Sequence, residues 1–264
     1  MLGNRNRLGT RLDLSLKLGG PDGVYDLGVR ANGSGVSAST QALPLKVDRT
    51  GPKITGPNPR ILGSRTPIGT KRATSTQMRW TVSDKLSKVA WARLQRKKSD
   101  GTWVDVGAPS NTGAPITLKP GTTYKLRVKS KDTLGNSAAS ATLRARLVVF
   151  DSKNGAWRTR GTGWKQKPRR SAIGGSILKA TGRTGSARIT VSGKAVALVS
   201  PIGPTRGKLR VRIDDGRWEK IGLKAAKDAD RRVVWSHKLP AGKHTISVQG
   251  VKGKSAIDAL FVIQ

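Results

Sequence analysis

The feature that most constrains this chain is a two-residue alternation of apolar and polar side chains that recurs along its length. Leu12, Leu14, Leu16 and Leu18 alternate with Asp13, Ser15 and Lys17; Leu126 and Val128 alternate with Lys125, Arg127 and Lys129; Leu209, Val211 and Ile213 alternate with Lys208, Arg210 and Arg212. Successive side chains of a strand point to opposite faces, so a period of two marks strands with one face in a core and the other in water. Turn-forming clusters separate the runs: LGGPDG, KSDG, KPGT, IDDG and PAGK. Only LKAAKDADRR has the composition of a helical turn, and a short one. The expectation is an all-β chain of antiparallel sheets.

An internal repeat organises the first half. The segment from Gly23, GVYDLGVRANGSG, aligns with the segment from Thr122, TTYKLRVKSKDTLGN, so that Tyr25 falls on Tyr124, Leu27 on Leu126 and Val29 on Val128. Each is followed by a Gly/Asn turn and a further strand, PLKVD or LRARLVVF. Residues 1–51 then form a partial unit with room for about two or three strands, too few to close a sandwich. The N-terminal residues include arginines but no apolar stretch of the kind a secretory signal needs, so the chain is expected to begin inside a domain, its targeting segment lying elsewhere. No run of about 18 apolar residues predicts a membrane span.

Residues 52–149 contain MRWTVSDKLSKVAWARLQRKKSDGTWVDVG followed by ITLKPGTTYKLRVKSKDTLGNSAAS, and this stretch resembles the fibronectin type III and related bacterial immunoglobulin-like modules. Trp80 stands where that family places the core tryptophan of its second strand. Leu118, Pro120, Gly121 and Tyr124 match its tyrosine corner, whose hydroxyl bonds back to the chain, and Asp132, Gly135 and Asn136 match a turn common in bacterial copies. By the internal repeat, residues 1–51 become a partial Ig-like unit. Residues 150–264 resemble the galactose-binding-like jelly-roll modules of bacterial surface proteins and hydrolases, through IGGSILKATGRTGSARITVSGKAVALVSPIGPTRGKLRVRIDDG, VVWSHKLPAGKHTISV and AIDALFVI. The resemblance implies tandem β-sandwiches from a bacterial extracellular or cell-surface protein, the middle one a spacer and the last of a kind that often binds sugars. Fold does not by itself assign a function. The absence of cysteine agrees with a bacterial source or a reducing compartment.

The sequence points away from an enzyme. Without cysteine there is no thiolate nucleophile and no thiolate zinc site. His237 and His244 are the two histidines, and no nucleophile-elbow pattern surrounds a serine. Glu219 is the single glutamate, and Asp214 and Asp215 precede Gly216 in a hairpin turn, where Asp-Gly supplies positive φ, rather than forming a glycosidase pair. GTGWK and GRTGS lack the strand–loop–helix context of phosphate-binding loops. A structural calcium ion, held by some jelly rolls of this type, would fall to Asp151 and Asp258. With only 15 acidic residues in the chain, the sequence predicts neither a metal site nor a cofactor.

Those acids stand against 51 Lys and Arg, a net charge of +36. The excess sits in the two complete modules, which carry 19 and 25 basic residues against 4 and 7 acidic ones. Alternation puts Lys125, Arg127, Lys129 and Lys131 on one strand face, and Lys208, Arg210 and Arg212 on another, so each sheet should show water a basic stripe. Such stripes can simply keep a protein soluble, but soluble surfaces usually mix signs. The scarcity of acids favours a polyanionic partner: an acidic polysaccharide or cell-envelope polymer, with non-specific nucleic-acid binding as an alternative. A second alternative is a structural stalk of a larger extracellular enzyme. The local candidate for the ligand site is GTGWKQKPRR, where Trp164 stands beside Lys165, Lys167, Arg169 and Arg170; Trp218, after the IDDGR turn, is the other. Trp80, Trp91, Trp157 and Trp235 lie in strand-like runs and are expected in the cores.

Overall fold

The computed structural model describes residues 20–28, 30–33, 36–39, 42–63, 65–69, 72–182 and 185–264. The chain falls into two compact units, residues 1–50 and 51–264.

The first unit contains β1 (Gly23–Leu27), β2 (Arg30–Gly33), β3 (Val36–Ser39) and β4 (Leu43–Val47). β1 pairs antiparallel with β4, and β2 with β3. Among the described residues that is four short strands rather than two or three, because the segment between the repeat's two main strands folds back as its own hairpin. The Leu12–Leu18 alternation and Val29 lie outside the described residues. Tyr25, in the middle of β1, donates its hydroxyl to the Pro21 carbonyl, and β1 pairs with β4.

The second unit opens with β5 (Lys53–Ile61), β6 (Thr74–Ser83), β7 (Val89–Lys97), β8 (Trp103–Val106), β9 (Gly113–Leu118), β10 (Thr123–Asp132), β11 (Ser137–Ala139) and β12 (Leu143–Asp151). A three-stranded sheet, β5-β6-β9, covers one face of β8-β7-β10-β12. Met78, Trp80, Leu94, Leu118, Leu126 and Val128 fill the space between them. Trp80 occupies the core position expected of it, and its indole Nε1 donates to the Ser110 carbonyl at 3.1 Å. The Tyr124 hydroxyl accepts from the Lys119 amide at 3.1 Å, closing the expected corner. Asp132 accepts the amides of Leu134 and Asn136 at 2.9 and 2.8 Å, which fixes the turn after β10.

The rest of the unit adds β13 (Arg158–Arg160), β14 (Trp164–Pro168), β15 (Ser176–Ala180), β16 (Ser186–Ser192), β17 (Ala195–Ile202), β18 (Lys208–Ile213), β19 (Glu219–Gly222), β20 (Ala229–Lys238), β21 (Lys243–Lys252), β22 (Ala256–Ile257) and β23 (Ala259–Ile263). A five-stranded sheet, β13-β16-β21-β18-β19, and a three-stranded one, β14-β15-β22, enclose a second core. LKAAKDADRR is not helical: Ala225 donates to the Gly203 carbonyl and Gly203 to that of Leu223, which ties the segment down in extended form before β20. The one helical turn among the described residues is a 3-10 turn at Ile173–Gly175.

β12 joins the two sandwiches. Its first half, from Leu143 to Arg146, pairs with β10, and its second half, from Leu147 to Asp151, pairs with β23. One eight-stranded sheet results, in the order β20-β17-β23-β12-β10-β7-β8 with β11 attached to β10. Residue 149, where the sequence divides the two complete modules, lies within β12. The joint explains the run AVALV that opens β17, a strand buried at every position: a strand covered on both faces reads as continuous apolar sequence instead of alternating. Val196 and Leu198 enter the second core, and Ala195, Ala197 and Val199 enter the first. The segment after β5 stitches the same junction from the other side: Arg65 donates to the Val233 carbonyl at 2.8 Å, and the Val233 amide to Thr66 at 3.0 Å.

Candidate functional site

The GTGWKQKPRR segment does not bring its indole and cations together on the surface. Trp164 is the first residue of β14 and lies opposite Ala180 of β15, which turns it into the second core, where it is 7% exposed beside Trp157 and Leu178. Lys165, Lys167 and Arg170 are exposed, while the Arg169 guanidinium is held by Asp230 at 2.7 Å. Trp164 therefore supports the sandwich and offers no stacking surface.

Trp218 is different. It is half-buried after the turn that follows β18, with the guanidinium carbons of Arg210 and Arg212 each 4.8 Å from its ring centroid. Arg210 Nε donates across to Gln249 Oε1 of β21 at 2.7 Å, and Arg212 lies 3.4 Å from Asp215. An open depression of about 460 Å³ adjoins the ring, bordered by Ile213, Gly216, Arg217 and Glu219. In this turn the left-handed residue is Asp214 (φ 51°), not Gly216, because the Asp214 carboxylate accepts the Thr245 amide at 2.7 Å and draws the chain over.

Trp218 belongs to a wider surface. Leu209 and Val211 of β18 are buried while Lys208, Arg210 and Arg212 point outward, as the alternation predicts. Arg210 lies opposite Gln249 and Lys220, and Arg188 of β16 lies opposite Ser247 and Arg158. The outer face of the five-stranded sheet thus carries Arg158, Arg188, Lys208, Arg210, Arg212 and Lys220.

A second basic face lies on the first sandwich. Tyr124, Leu126 and Val128 of β10 go into the core, and Lys125, Arg127, Lys129 and Lys131 face out. Register extends the stripe sideways: Arg127 lies opposite Gln95, Lys129 opposite Arg93, Lys131 opposite Trp91 and Lys125 opposite Arg144. Across the β7–β8 hairpin, Gln95 meets Asp105 and Lys97 meets Trp103. Trp91 is therefore not a core residue: it shares the parity of Arg93 and Gln95 and is half-buried on the outer face.

These residues are bonded into one chain. The Arg127 guanidinium lies 4.2 Å from the Trp103 centroid, and its Nε donates to Gln95 Oε1 at 3.0 Å. Gln95 Nε2 donates to Asp105 Oδ1 at 2.9 Å, Arg93 Nη1 to Asp105 Oδ2 at 2.7 Å, and the Arg93 guanidinium lies 5.2 Å from the Trp91 centroid. The hydrogen bond from Arg93, followed by that from Gln95, holds the Asp105 carboxyl below its usual range. Among the described residues Lys125, Lys131, Arg144 and Arg146 form no ion pair, so this face is strongly positive.

Both faces look out on the same side of the eight-stranded sheet. Arg144 and Arg146 share a side of β12 with Val148 and Phe150, and these lie opposite Val262 and Leu260, which belong to the second core. The five-stranded sheet packs on that core, so its outer face and the exposed half of the long sheet lie on the same side of that sheet.

Both histidines pair with carboxylates. His244 Nδ1 pairs with Asp214 Oδ2 at 2.8 Å, and His237 Nε2 with Glu219 at 3.0 Å; neither bonds a serine hydroxyl among the described residues. Asp258 is fully buried, its Oδ1 accepting the Ile173 amide at 2.7 Å, and burial pushes its carboxyl up to about 7. Asp151 lies against Gly174 of the same turn, on its outer approach, where its Oδ1 accepts the Lys153 amide at 3.0 Å.

No protein-family model matches the sequence, and no curated protein is similar to it. Solved structures share parts of the fold. A GH26-CBM35 beta-(1,4)-mannanase of Podospora anserina is 15% identical over 45% of this chain, with a TM-score of 0.36, and the chain spans 28% of that protein. A family 35 carbohydrate binding module from Clostridium thermocellum is 15% identical over 44% of this chain and 96% of its own, with a TM-score of 0.34. An exo-beta-1,3-galactanase from Phanerochaete chrysosporium, crystallised with galactose, is 9% identical over 91% of this chain and 75% of its own, with a TM-score of 0.36.

Proposed function

We propose that this chain is a non-catalytic binding module that holds an acidic polysaccharide, or a related envelope polymer, at a cell surface or after secretion. The observation that carries the reading is the pair of outer sheet faces on one side of the unit, each with cations at alternate strand positions around indole rings and few carboxylates. A surface of one sign attracts a polymer of the other over several ångströms and gains further from close pairs at contact. Both faces are β-sheet surfaces, and among the described residues no helix is long enough to enter a nucleic-acid groove, which favours an extended polysaccharide over base-reading of a duplex. The continuous sheet through β12 favours a second role, as a rigid spacer within a longer protein.

The test is binding of the full chain to neutral glycans, uronate glycans, teichoic acid and duplex DNA at about 0.15 M and about 1 M salt. Retention of one acidic glycan class at high salt supports the reading. Equal binding of every polyanion, all released by salt, leaves the charge generic and makes the spacer the better account.

A further inference from the structure

The same device occurs twice, on two sheets that belong to different sandwiches. On β10, Arg127 lies over Trp103 and gives its Nε to Gln95 of the neighbouring strand; on β18, Arg210 lies over Trp218 and gives its Nε to Gln249 of the neighbouring strand. A free arginine on a sheet surface samples many rotamers, and ordering it on a ligand costs conformational entropy. Here the indole against the guanidinium and the glutamine at its Nε together restrict those rotamers. With Nε engaged, the two Nη groups, which no hydrogen bond among the described residues occupies, form a planar fork of the kind that takes a carboxylate through two parallel hydrogen bonds. Neither glutamine is charged, so each orients its arginine without neutralising it.

We infer that Arg127 and Arg210 are paired, pre-oriented carboxylate subsites, and that a single polyuronate chain engages both at once. The inference rests on the polysaccharide-binding reading above and names its substrate class and its site. Three observations support it. Both devices lie on the same side of the eight-stranded sheet, as a single polymer engaging both requires. The row Lys125, Arg127, Lys129 and Lys131 repeats every second residue, about 7 Å apart for a strand, and gives the chain a cationic track leading away from Arg127. Each indole already carries a cation on its ring, so a nucleobase would have to displace an arginine to stack, whereas an acid group meets the fork directly.

The experiment is calorimetric titration of the full chain with long polygalacturonate, with a short galacturonate oligomer and with duplex DNA, all at one salt concentration. Two linked subsites predict that the long polymer binds at least about 100-fold more tightly than the oligomer. Arg127→Lys and Arg210→Lys keep the charge but lose the fork and the stack; each should bring the polymer down to near the oligomer's affinity. Gln95→Ala and Gln249→Ala leave every charge in place and should weaken polymer binding about tenfold through lost orientation. Thermal midpoints of all four variants, compared with wild type, separate loss of the site from loss of the fold. If the lysine variants bind the polymer as wild type does, the subsites are refuted while the proposed function stands. If wild type shows no preference for long polymer, the pairing is refuted. If duplex DNA binds more tightly than polygalacturonate, the occupant is wrong, and if no acidic polysaccharide binds at all, the proposed function fails with it.

Discussion

The two basic faces arise from the same rule and differ in what holds them. Alternation along β10 and along β18 puts cations outward in both. On the first sandwich, two indoles and two arginines are tied through Gln95 and Asp105 into one bonded chain that crosses three strands. On the second, two arginines of a single strand share one indole, and one of them leans on Asp215, whose side chain is fully exposed. Strand parity alone therefore produces a charged surface, whereas a surface with fixed geometry needs hydrogen-bonding partners delivered by cross-strand register. The first face has more of these, and it should be the more selective of the two.

The comparison assumes one rigid body, and the strongest way to break it is at the joint. Leu147 is fully buried where β12 passes from one sandwich to the other. Leu147→Ala should cost about 2–5 kcal/mol, the usual range for a buried leucine. Chemical denaturation followed by the tryptophans of both sandwiches should still show a single transition at a lower midpoint. Two separated transitions would mean that the faces belong to independent domains, and their common orientation would lose its basis.

Next in size is a buried carboxylate of the second sandwich that burial drives toward its neutral form, whereas buried Asp132 of the first is held below its usual range. Asp258 keeps its proton to about pH 7 in the folded chain but releases it near 3.8 when unfolded. Between those values the folded state binds more protons, so this residue makes stability fall as pH rises, and its cost is complete above pH 7. At about 1.4 kcal/mol per unit, that is a few kcal/mol. Asp258→Asn keeps an acceptor for the Ile173 amide, so it should raise the melting temperature at alkaline pH and leave it unchanged in acid. An equal effect at both ends of the range would show that Asp258 is ionised in the folded state after all.

A smaller effect sharpens the contrast between the faces. Trp103 holds Arg127 at 4.2 Å in a bonded chain, and Trp218 shares its ring between two arginines at 4.8 Å. Cation–π pairs on a surface contribute about 0.5–1 kcal/mol and more once a ligand removes water. Trp103→Ala should therefore weaken polygalacturonate binding about fivefold, and Trp218→Ala by less. The reverse order in a titration would make the second sandwich the primary site.

Much of this was legible in the sequence. The alternation in β10 and β18 follows from local pattern, since burial of one strand face dictates it, whereas the tyrosine corner and the core place of Trp80 came from the resemblance to fibronectin type III modules. The parity of VAWARLQRK already puts Trp91 with Arg93 and Gln95, and carrying that parity through the KSDG hairpin puts Trp103 and Asp105 on the same face. Tryptophan's usual place in cores masked that signal. Trp164 went the other way: its basic neighbours suggest a surface loop, but β14 pairs with β15 and turns the ring inward, a long-range fact that no local pattern carries. The fusion of two sandwiches through β12 was equally hidden, although the apolar run AVALV that opens β17 is its trace.

The smallest effect concerns the rim of the second face. The hydrogen bond to Asp214 raises the pKa of His244, and the same bond lowers that of Asp214. The histidine's share of stability is fully present below 6.5, its ordinary value, and is lost as pH rises through the higher folded value; the aspartate's share is present above 3.8 and is lost as pH falls through the lower one. The pair therefore stabilises the turn most in mildly acid solution. Half of the Asp214 side chain is exposed, so the pair should contribute no more than an ordinary surface pair, below about 1 kcal/mol. His244→Gln should lower the melting temperature slightly at about pH 5.5 and not at about pH 9, because the neutral ring at alkaline pH resembles the amide that replaces it. The turn carries Trp218 toward Arg210 and Arg212, so the same variant should weaken polygalacturonate binding only where the histidine is charged. A loss of binding that persists at alkaline pH would mean that His244 shapes the second face by packing rather than by charge, and that this face, like the first, is held by more than its arginines.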